Sequence, residues 1–436
     1  MKIEKLFEQH LSERLQVLEH ALGIFELDGL VLTAGSEGHY YQDDQEIPFR
    51  SSHHFMHYCP VEGEGHALVL LPSRAPVLFY HCPEDFWYDH SPVGEPFWID
   101  CFEVRSFPSK EAIWKALAEY QSSGYLGPED KQASEQGFEP VSESFQHHLN
   151  WYRAYKSPYE AHCVDRATEL AVHGHVAAGS AFLDGGSEFD IHMAYLLATG
   201  MKDRDLPYTA IVGIDEKSAI LHYGQKRHEP RNGRVMLIDS GAKYGGYASD
   251  ITRTHTNGDV ASEFNSMLDA MNREQLQLCN SISAGMNFGD LFHESHLAVG
   301  RVLLEHDILR RVALDEAVEK GLTSVFYPHG VSHMLGLLVH DVGSKQLDVA
   351  GNFYVKDEDK STRTRMRTIE SGHLFTVEPG LYFIKMLLNS QREGEFKDMF
   401  NWDLVDRLLP YGGIRIEDNI YITDNEVKNI TRQYLP

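Results

Sequence analysis

The sequence predicts an α+β protein with two domains, a small α/β domain over residues 1–155 and a larger domain over residues 156–436. The chain has 436 residues, about twice what a single compact core usually reaches. Short apolar runs alternate with helical patterns in the first third, which is typical of an α/β unit. In the remainder, helical patterns come first and strand-like runs follow, which favours an α+β arrangement.

The first third contains the elements of a small sheet covered by helices. Period-2 apolar runs bounded by turn residues indicate strands, and apolar residues at a spacing of three to four indicate helices. The expected elements are a helix over Leu11–Phe25, strands over 29–33, 67–71 and 77–80, a helix over about 110–122 and a strand near Tyr125.

The second domain is expected to begin with a long helix. Ser157 is a suitable N-cap and Pro158 suits the first helical position. Helical periodicity then continues to about Gly185. The following elements are a helix over Glu188–Thr199, strands over 211–214, 235–239 and 248–255, helices over 262–282 and 288–305, and a strand-rich final third.

Composition excludes several classes of function. The formal net charge is −26, so the chain would repel the phosphate backbone of a nucleic acid. No run approaches the ~20 apolar residues that cross a bilayer, and the first residues lack the apolar core of a signal peptide. Five widely spaced cysteines without a CxxC pair fit a reducing compartment. We therefore expect a cytoplasmic protein without nucleic-acid or membrane partners.

The run over residues 235–250 predicts a β-hairpin that carries two aspartates. If the chain turns at residues 243–246, Asp239 lies opposite Asp250. Two like charges with Cβ atoms roughly 4.5–5.5 Å apart destabilise a ladder unless a cation lies between them. A metal ion is the simplest explanation. The alternative is a bulge that shifts the register and leaves both aspartates at the surface, and the hairpin alone leaves that alternative open.

Three further segments place polar residues in apolar surroundings. Arg415 and Glu417 share one face of a strand whose other face carries isoleucines, so they lie either in solvent or in a polar cavity. Glu378 ends an apolar strand before a Pro-Gly break, where a lone glutamate is usually an ordinary strand-end residue. His329, His333 and His340 lie close together; one such histidine is usually a core residue, but three favour a site.

Taken together and in order, these motifs resemble those of the pita-bread metallopeptidases, in particular the bacterial Xaa-Pro dipeptidase (prolidase) group, which also contains the organophosphorus acid anhydrolases. The similarity covers nearly the whole chain, including Asp44 and Trp87 in the first domain. It implies a creatinase-like N-terminal domain and a pita-bread catalytic domain. The motifs are Ile-Asp-Ser-Gly with Asp239, Asp-Ile-Thr-Arg with Asp250, Pro-His-Gly-x-x-His with His333, Val-Glu-Pro-Gly with Glu378, and Gly-Ile-Arg-Ile-Glu-Asp-Asn with Glu417.

The resemblance implies two divalent metal ions per subunit. Asp239 would hold one, His333 and Glu378 the other, and Asp250 and Glu417 would bridge them. Four carboxylates balance the charge of two divalent ions, and an oxygen-rich set with one imidazole favours Mn²⁺, although Co²⁺ or Zn²⁺ would also bind. A hydroxide between the ions is the expected nucleophile, and Glu378 is expected to pass a proton to the departing proline nitrogen.

The resemblance also implies residues that bind the Xaa-Pro dipeptide. His222 and His340 are expected to contact the substrate and the developing oxyanion, with packing in the core as the alternative for both. His329 and Tyr208 are further candidates. An arginine suits the free carboxylate after proline, and Arg367 and Arg415 are the candidates. In relatives, first-domain residues matching Asp44 and Trp87 reach toward a pocket across a dimer, so a homodimer is expected, although an exposed turn Asp44 and a core Trp87 are equally compatible.

Two segments depart from the family pattern. Where relatives usually have Leu-Arg-x-x-Arg, this chain reads Arg-Thr-Arg-Met-Arg over residues 363–367, which leaves open which arginine binds the carboxylate. Where relatives usually have Gly-His-His, this chain has Ser332-His333-Met334. We expect altered tuning of the metal ligand rather than lost activity, because neighbouring side chains in a strand point in opposite directions.

Two other catalytic motifs are incomplete in this sequence. The Gly330-Val-Ser-His-Met334 segment lacks the final glycine of a nucleophile elbow, and His293 and His296 are one residue too close for the H-E-x-x-H zinc motif. The remaining alternatives are an aminopeptidase P-like or creatinase-like hydrolase on the same fold, and a binding protein that has kept the fold without catalysis. Slow hydrolysis of organophosphorus triesters or fluoridates is a further expectation from the resemblance.

Overall fold

The computed structural model describes residues 2–88, 91–229, 231–354 and 366–435. The chain divides into two compact units. Unit 1 comprises Met1–Arg153, Ser157–Glu160 and Val349–Gly351. Unit 2 comprises Ala154–Lys156, Ala161–Asp348 and Asn352–Pro436.

Unit 1 is a mixed sheet with helices. Its strands are β1 (Leu30–Thr33), β2 (Ala67–Leu70), β3 (Val77–His81), β4 (Glu103–Phe107), β5 (Gly124–Leu126) and β6 (Glu139–Pro140), in the order β4-β3-β2-β1-β5-β6. Its helices are α1 (Ile3–Ile24), α2 (His53–Tyr58), α3 (Lys110–Leu117), α4 (Asp130–Glu135) and α5 (Glu143–Arg153). β2 pairs antiparallel with β1 and β3, and the outer pairs are parallel.

One core of unit 1 lies between the sheet and α3. Val31, Val69 and Phe79 on three neighbouring strands are buried against Trp114 and Leu117 of that helix. Residues of β1 and β2 are buried on both faces of the sheet, which explains why these runs are apolar throughout rather than alternating.

A long helix leads into unit 2. α6 (Pro158–Leu183) begins at the expected proline. The hydroxyl of Ser157 accepts from the backbone N–H of Glu160 at 3.3 Å, and the Glu160 carboxylate accepts from the N–H of Ser157 at 2.9 Å. This reciprocal pair is a capping box. The other helices of unit 2 are α7 (Glu188–Thr199), α8 (Ser262–Ser281), α9 (Phe288–Glu305), α10 (Leu314–Glu319), α11 (Lys385–Gln391) and α12 (Trp402–Leu408).

The strands of unit 2 pair antiparallel in small sheets. The strands are β7 (Ile211–Ile214), β8 (Val235–Asp239), β9 (Lys243–Tyr244), β10 (Tyr247–Ala248), β11 (Thr252–Thr256), β12 (Leu374–Val377), β13 (Gly380–Tyr382), β14 (Gly413–Arg415), β15 (Asp418–Ile422) and β16 (Val427–Asn429). The sheet orders are β11-β8-β7, β10-β9, β12-β15-β16 and β13-β14. An isolated bridge joins Thr252 of β11 to Glu417, which lies between β14 and β15.

The hairpin that carries the two aspartates forms with a different register from the one expected. Its two loop residues are Gly245 and Gly246, with φ of 58° and 83°, because a tight hairpin turn favours glycine where φ is positive. The turn is therefore centred one residue later, and Asp239 pairs with Thr252. The prediction that Asp239 lies opposite Asp250 in the ladder is wrong.

The expected strand that carries Arg415 and Glu417 divides into β14 and β15. Its isoleucines are buried, as the alternation indicates. The opposite face is buried as well: Arg415, Glu417 and Asn419 are 4%, 2% and 0% exposed. This polar face therefore lies in the interior of unit 2 and not at a solvated surface.

Among the described residues, no helix combines the length and the apolar character needed to span a bilayer.

Candidate metal centre and active site

A cavity of about 520 Å³ in unit 2 gathers most of the residues singled out in the sequence. They come from strand ends and loops that are far apart in the chain. The lining includes Tyr208, His222, Asp239, Asp250, His329, His333, His340, Glu378, Arg415 and Glu417.

Tyr208 joins the two aspartates. Asp239 is the last residue of β8, and Asp250 lies just before β11. The hydroxyl of Tyr208 lies 2.7 Å from Asp239 Oδ1 and 2.5 Å from Asp250 Oδ1. Burial, with added repulsion from Asp239, raises the pKa of this hydroxyl well above its usual value, so Tyr208 keeps its proton. The two carboxylates therefore lie side by side although they are not ladder partners.

His333 points a ring nitrogen at two carboxylates. Its Nδ1 lies 3.2 Å from the carbonyl oxygen of Met334, which can only accept, so Nδ1 is the donor. Nε2 lies 3.4 Å from Asp250 Oδ2 and 3.5 Å from Glu378 Oε1. Burial lowers the pKa of His333, but the contact with Asp250 and the charge of Glu378 outweigh it and raise that pKa to about 9. Because Nδ1 donates to Met334, Nε2 is the atom that would bind a cation, which would take the place of the Nε2 proton.

Glu417 and Glu378 complete the acidic set. Thr252 donates its hydroxyl to Glu417 Oε2 at 2.6 Å. Single ligand atoms of Asp250, His333 and Glu417 all lie within 4.8 Å of one another. Glu378 follows β12, and its N–H donates to the carbonyl of Val331 at 2.9 Å, which fixes the strand end beside His333.

The pKa values of the carboxylates in this cluster indicate that it is suited to binding cations. Burial first, and then the charge of Asp239, raises the pKa of Asp250. Burial and the neighbouring carboxylates raise the pKa of Glu417 well above its usual value. The pKa of Glu378 rises to about 7 because burial and the nearby aspartates outweigh His333 and Arg415. Buried carboxylates this close are stabilised when positive charge lies among them, so an oxygen-rich set with one imidazole fits divalent ions.

Arg415 donates hydrogen bonds to residues in and beside this cluster. Its Nη2 donates to Asp239 Oδ2 at 2.6 Å, its Nη1 to the hydroxyl of Tyr382 at 2.8 Å, and its Nε to Thr252 Oγ1 at 3.1 Å. All three guanidinium nitrogens are therefore engaged inside the protein. Sequence reasoning did not single out Tyr382 or Thr252; the Asp-Ile-Thr-Arg motif contained the signal for Thr252, whereas Tyr382 looked like an ordinary apolar strand residue.

Three histidines line the same cavity around the carboxylates. The ring of His340 packs edge-on against His333, with centroids 4.4 Å apart. His222 is near enough to lower the pKa of His340, after burial and His333. His329 Nε2 lies 2.8 Å from the hydroxyl of Tyr382, and burial lowers the pKa of His329 to about 3. His222 and His340 remain open to a ligand, whereas His329 is held within the wall.

Three of the substrate-binding candidates do not line this cavity. Arg367 is buried, donates to the carbonyl of Gly343 at 2.8 Å and lies over the ring of Tyr155. Asp44 and Trp87 belong to unit 1, where both are exposed. Trp87 is 77% exposed, so it is not a core residue of the chain. Arg363 and Arg365 lie outside the described residues.

Comparison with protein families assigns both halves of the chain. Residues 162–424 match the model described as metallopeptidase family M24, and residues 5–152 match the Xaa-Pro dipeptidase N-terminal domain. The chain belongs to metallopeptidase family M24. The predicted family and the predicted fold class, a creatinase-like N-terminal domain followed by a pita-bread catalytic domain, are confirmed.

This M24 protein also has curated relatives that match over its full length. It is 36% identical to Xaa-Pro dipeptidases of Escherichia coli O1:K1 and of Shigella flexneri, covering 99% of this chain and 98% of theirs. Among solved structures it resembles a zinc-substituted E. coli aminopeptidase P with bound product (24% identity, TM-score 0.74, 98% and 95% coverage). Aminopeptidase PepP of Pseudomonas aeruginosa is similar at 22% identity, with TM-score 0.74 and 97% and 95% coverage. At these identities the two structures support the fold alone.

Proposed function

We propose that this M24 protein is a dipeptidase that cleaves Xaa-Pro dipeptides with the help of two divalent metal ions. One observation carries the proposal: four carboxylates and His333 meet in one buried cavity. Relatives with 36% identity over the whole chain are named Xaa-Pro dipeptidases, which supports the substrate class.

Each of the four carboxylates and the imidazole of His333 would bind one or both metal ions. Asp239 would hold one ion, and His333 Nε2 with Glu378 the other. One ligand atom each of Asp250, Glu417 and His333 lie within 4.8 Å of one another, which would allow the two carboxylates to bridge the ions. Bound divalent ions lower the pKa of water and polarise a carbonyl group. Mn²⁺ suits the oxygen-rich set best, and Co²⁺ or Zn²⁺ are compatible with it.

Glu378 is the residue that we assign to proton transfer. Glu378 lies 3.5 Å from His333 Nε2. As a carboxylate that binds the metal ion it would lie within one hydrogen bond of the reacting atoms, which a general acid–base group requires. In this role Glu378 accepts a proton from the attacking water and passes it to the proline nitrogen as the peptide bond breaks.

The other polar residues of the cavity have binding or positioning roles. His222 and His340 face the open part of the cavity and would donate hydrogen bonds to the substrate carbonyl oxygen and carboxylate. His329 and Tyr208 form the wall against which the dipeptide lies. Arg415 has its guanidinium committed to Asp239, Tyr382 and Thr252. We therefore assign Arg415 to holding Asp239 in place.

The substrate proposal is tested by comparing two peptides with added Mn²⁺. We expect Ala-Pro to be cleaved, and a longer peptide that begins Ala-Pro to be cleaved at least about tenfold less efficiently in kcat/KM. Chelation should abolish both activities, and Mn²⁺ should restore them. Cleavage of the longer peptide alone would instead identify an aminopeptidase P-like activity, and no cleavage of either would favour a binding protein.

Organophosphorus triesters and fluoridates are proposed as slow secondary substrates. A site that stabilises the negative charge developing on a carbonyl oxygen can also stabilise the charge on the oxygens of the pentacoordinate transition state that forms when a nucleophile attacks tetrahedral phosphorus. Turnover of a chromogenic phosphotriester by the Mn²⁺-loaded protein tests this, and its absence in a preparation that cleaves Ala-Pro removes the claim.

We further propose that the protein is a cytoplasmic homodimer. Support comes from Trp87 and Phe86, which are 77% and 87% exposed on unit 1, since adjacent exposed aromatic rings are common at interfaces. Light scattering coupled to gel filtration should give about twice the mass of the 49.6 kDa chain. A monomer in that measurement would contradict the proposal.

A further inference from the structure

Part of the wall of the metal-centre cavity belongs to a segment that forms neither helix nor strand. This His222 segment, residues 220–229, follows a 3₁₀ helix at Asp215–Ala219 and precedes β8. Leu221, His222, Tyr223 and Gly224 of the segment line the cavity. A binding residue on such a segment is positioned by contacts with more rigid elements.

One carboxylate, that of Glu188 at the start of α7, binds the chain on both sides of His222. Glu188 Oε1 accepts from the N–H of Ile214 at 3.1 Å, and from Nε and Nη2 of Arg227 at 3.1 Å and 2.7 Å. Glu188 Oε2 accepts from the N–H of Arg227 and from the hydroxyl of Tyr223, both at 2.9 Å. Five hydrogen bonds therefore hold the chain before the His222 segment, at the neighbour of His222 and near the end of the segment.

The burial of Glu188 makes these contacts strong. Its exposed fraction is 0%, and hydrogen bonds to a carboxylate are stronger than those between neutral groups. The guanidinium of Arg227 binds the carboxylate through two nitrogens and balances its charge. A buried carboxylate is costly without such partners, so burial of Glu188 favours the arrangement in which the His222 segment supplies them.

The first turn of α7 is a fixed point for this carboxylate. Ser187 and Asp190 form a capping box, in which the N–H of Ser187 donates to the Asp190 carboxylate at 2.9 Å. The N–H of Phe189 donates to the carbonyl oxygen of Arg227 at 3.1 Å. Glu188 itself does not line the cavity, so it can act on a substrate only through residues that do.

We propose that Glu188 is a positioning residue that holds His222 where it can bind the substrate. The effect on substrate rests on the proposed peptidase function, in which His222 donates a hydrogen bond to the dipeptide. The ordering of the His222 segment by Glu188 does not depend on that function. Glu188→Gln tests both, because it keeps the size of the side chain, removes its charge and replaces one acceptor oxygen with a nitrogen that only donates.

The first test is hydrogen–deuterium exchange of the full-length protein, measured by mass spectrometry. In Glu188→Gln, amides in peptides that cover residues 214–227 should exchange at least about tenfold faster, since the N–H groups of Ile214 and Arg227 lose a strong acceptor. Glu305→Gln is the matched control. Glu305 on α9 also pairs with an arginine, Arg273, at 3.3 Å, but on the surface, so exchange over residues 214–227 should match that of the unmodified protein.

A milder variant gives the same test if Glu188→Gln does not fold. Tyr223→Phe keeps the buried ring and removes only the hydroxyl that donates to Glu188. Exchange over residues 214–227 should rise in this variant too, by less than in Glu188→Gln.

The second test is kinetic and uses Ala-Pro with Mn²⁺. Loss of folded protein lowers kcat and leaves KM unchanged, whereas a displaced His222 weakens substrate binding. We expect the KM for Ala-Pro to rise at least about tenfold in Glu188→Gln. In a His222→Ala background the same change should alter KM less than about twofold, because the contact that Glu188 positions is already absent.

Three results would overturn the proposal. They are unchanged exchange over residues 214–227 in the folded variants, an unchanged KM in Glu188→Gln, and an equal rise in KM in the His222→Ala background, which would mean that Glu188 does not act through His222. If the unmodified protein does not cleave Ala-Pro, the proposed function fails, and the exchange measurement still decides whether Glu188 holds the His222 segment.

Discussion

At the scale of single residues, surroundings decide what a side chain does. Its own sequence motif predicts an ordinary strand-end glutamate at Glu378, and only the family resemblance implies a metal ligand. In the structure it is 3.5 Å from His333 Nε2, and burial beside the aspartates raises its pKa to about 7. The residues next to Glu378 in the chain reveal neither fact, because His333 lies 45 positions earlier and the two aspartates lie more than a hundred positions earlier.

Replacing this carboxylate tests its role. Glu378→Gln keeps the size of the side chain but removes its negative charge and its capacity to take up a proton. We expect kcat/KM for Ala-Pro to fall at least about 100-fold and the bound metal, measured by elemental analysis, to fall toward one ion per chain. Glu395→Gln, on the surface, is the control. Full activity in Glu378→Gln would remove Glu378 from the mechanism.

At the scale of elements, the sequence predicts most of the strands and helices but not their register. The bounds of α7, α9, β7 and β8 agree with the expected ranges, because each has clear periodicity and a turn signal at its end. The register of the Asp239 hairpin differs, since the two loop residues are Gly245 and Gly246 rather than Tyr244 and Gly245. Pairings such as Thr252 with Glu417 join segments distant in sequence, and local patterns cannot specify them.

The contact between Thr252 and Glu417 predicts an effect on metal binding. Thr252→Val keeps the shape of this fully buried side chain and removes the hydroxyl that donates to Glu417 at 2.6 Å and accepts from Arg415. Loss of such an orienting hydrogen bond typically weakens metal affinity by about 10-fold or more. The measurement is the Mn²⁺ concentration that gives half-maximal activity.

Thr256→Val on the same strand is the matched control, because its hydroxyl donates to Asn265 and does not contact a proposed ligand. An unchanged Mn²⁺ requirement in Thr252→Val, or an equal rise in both variants, would show that this hydroxyl does not orient Glu417.

At the scale of the whole molecule, several histidines are buried without charge. Burial lowers the pKa of His57 in unit 1 to about 3, and those of His175 and His296 in unit 2 to about 3 and 4. In the unfolded chain the same groups titrate near 6.5. Below that pH the unfolded state binds more protons than the folded state, so acid favours unfolding.

This difference predicts the contribution of the buried histidines to the pH dependence of stability. In metal-free protein unfolded with urea, each such histidine should lower the free energy of unfolding by up to about 1.4 kcal/mol per pH unit below pH 6.5, whereas the raised pKa of Glu378 acts in the opposite direction, so the contribution is read from the change in slope between variants. His296→Gln should make the slope shallower, whereas exposed His228→Gln should leave it unchanged. A slope that His296→Gln does not alter would mean that His296 is charged in the folded state.

The central claim for the whole molecule is that five residues from distant segments hold a pair of metal ions. Anomalous X-ray diffraction from crystals soaked in Mn²⁺ tests this most directly. The account predicts two peaks in the cavity, both in contact with Asp250 and Glu417, one of them also with Asp239 and the other also with His333 and Glu378. Peaks that lie away from these five side chains, or a cavity that stays without an anomalous peak, would contradict it.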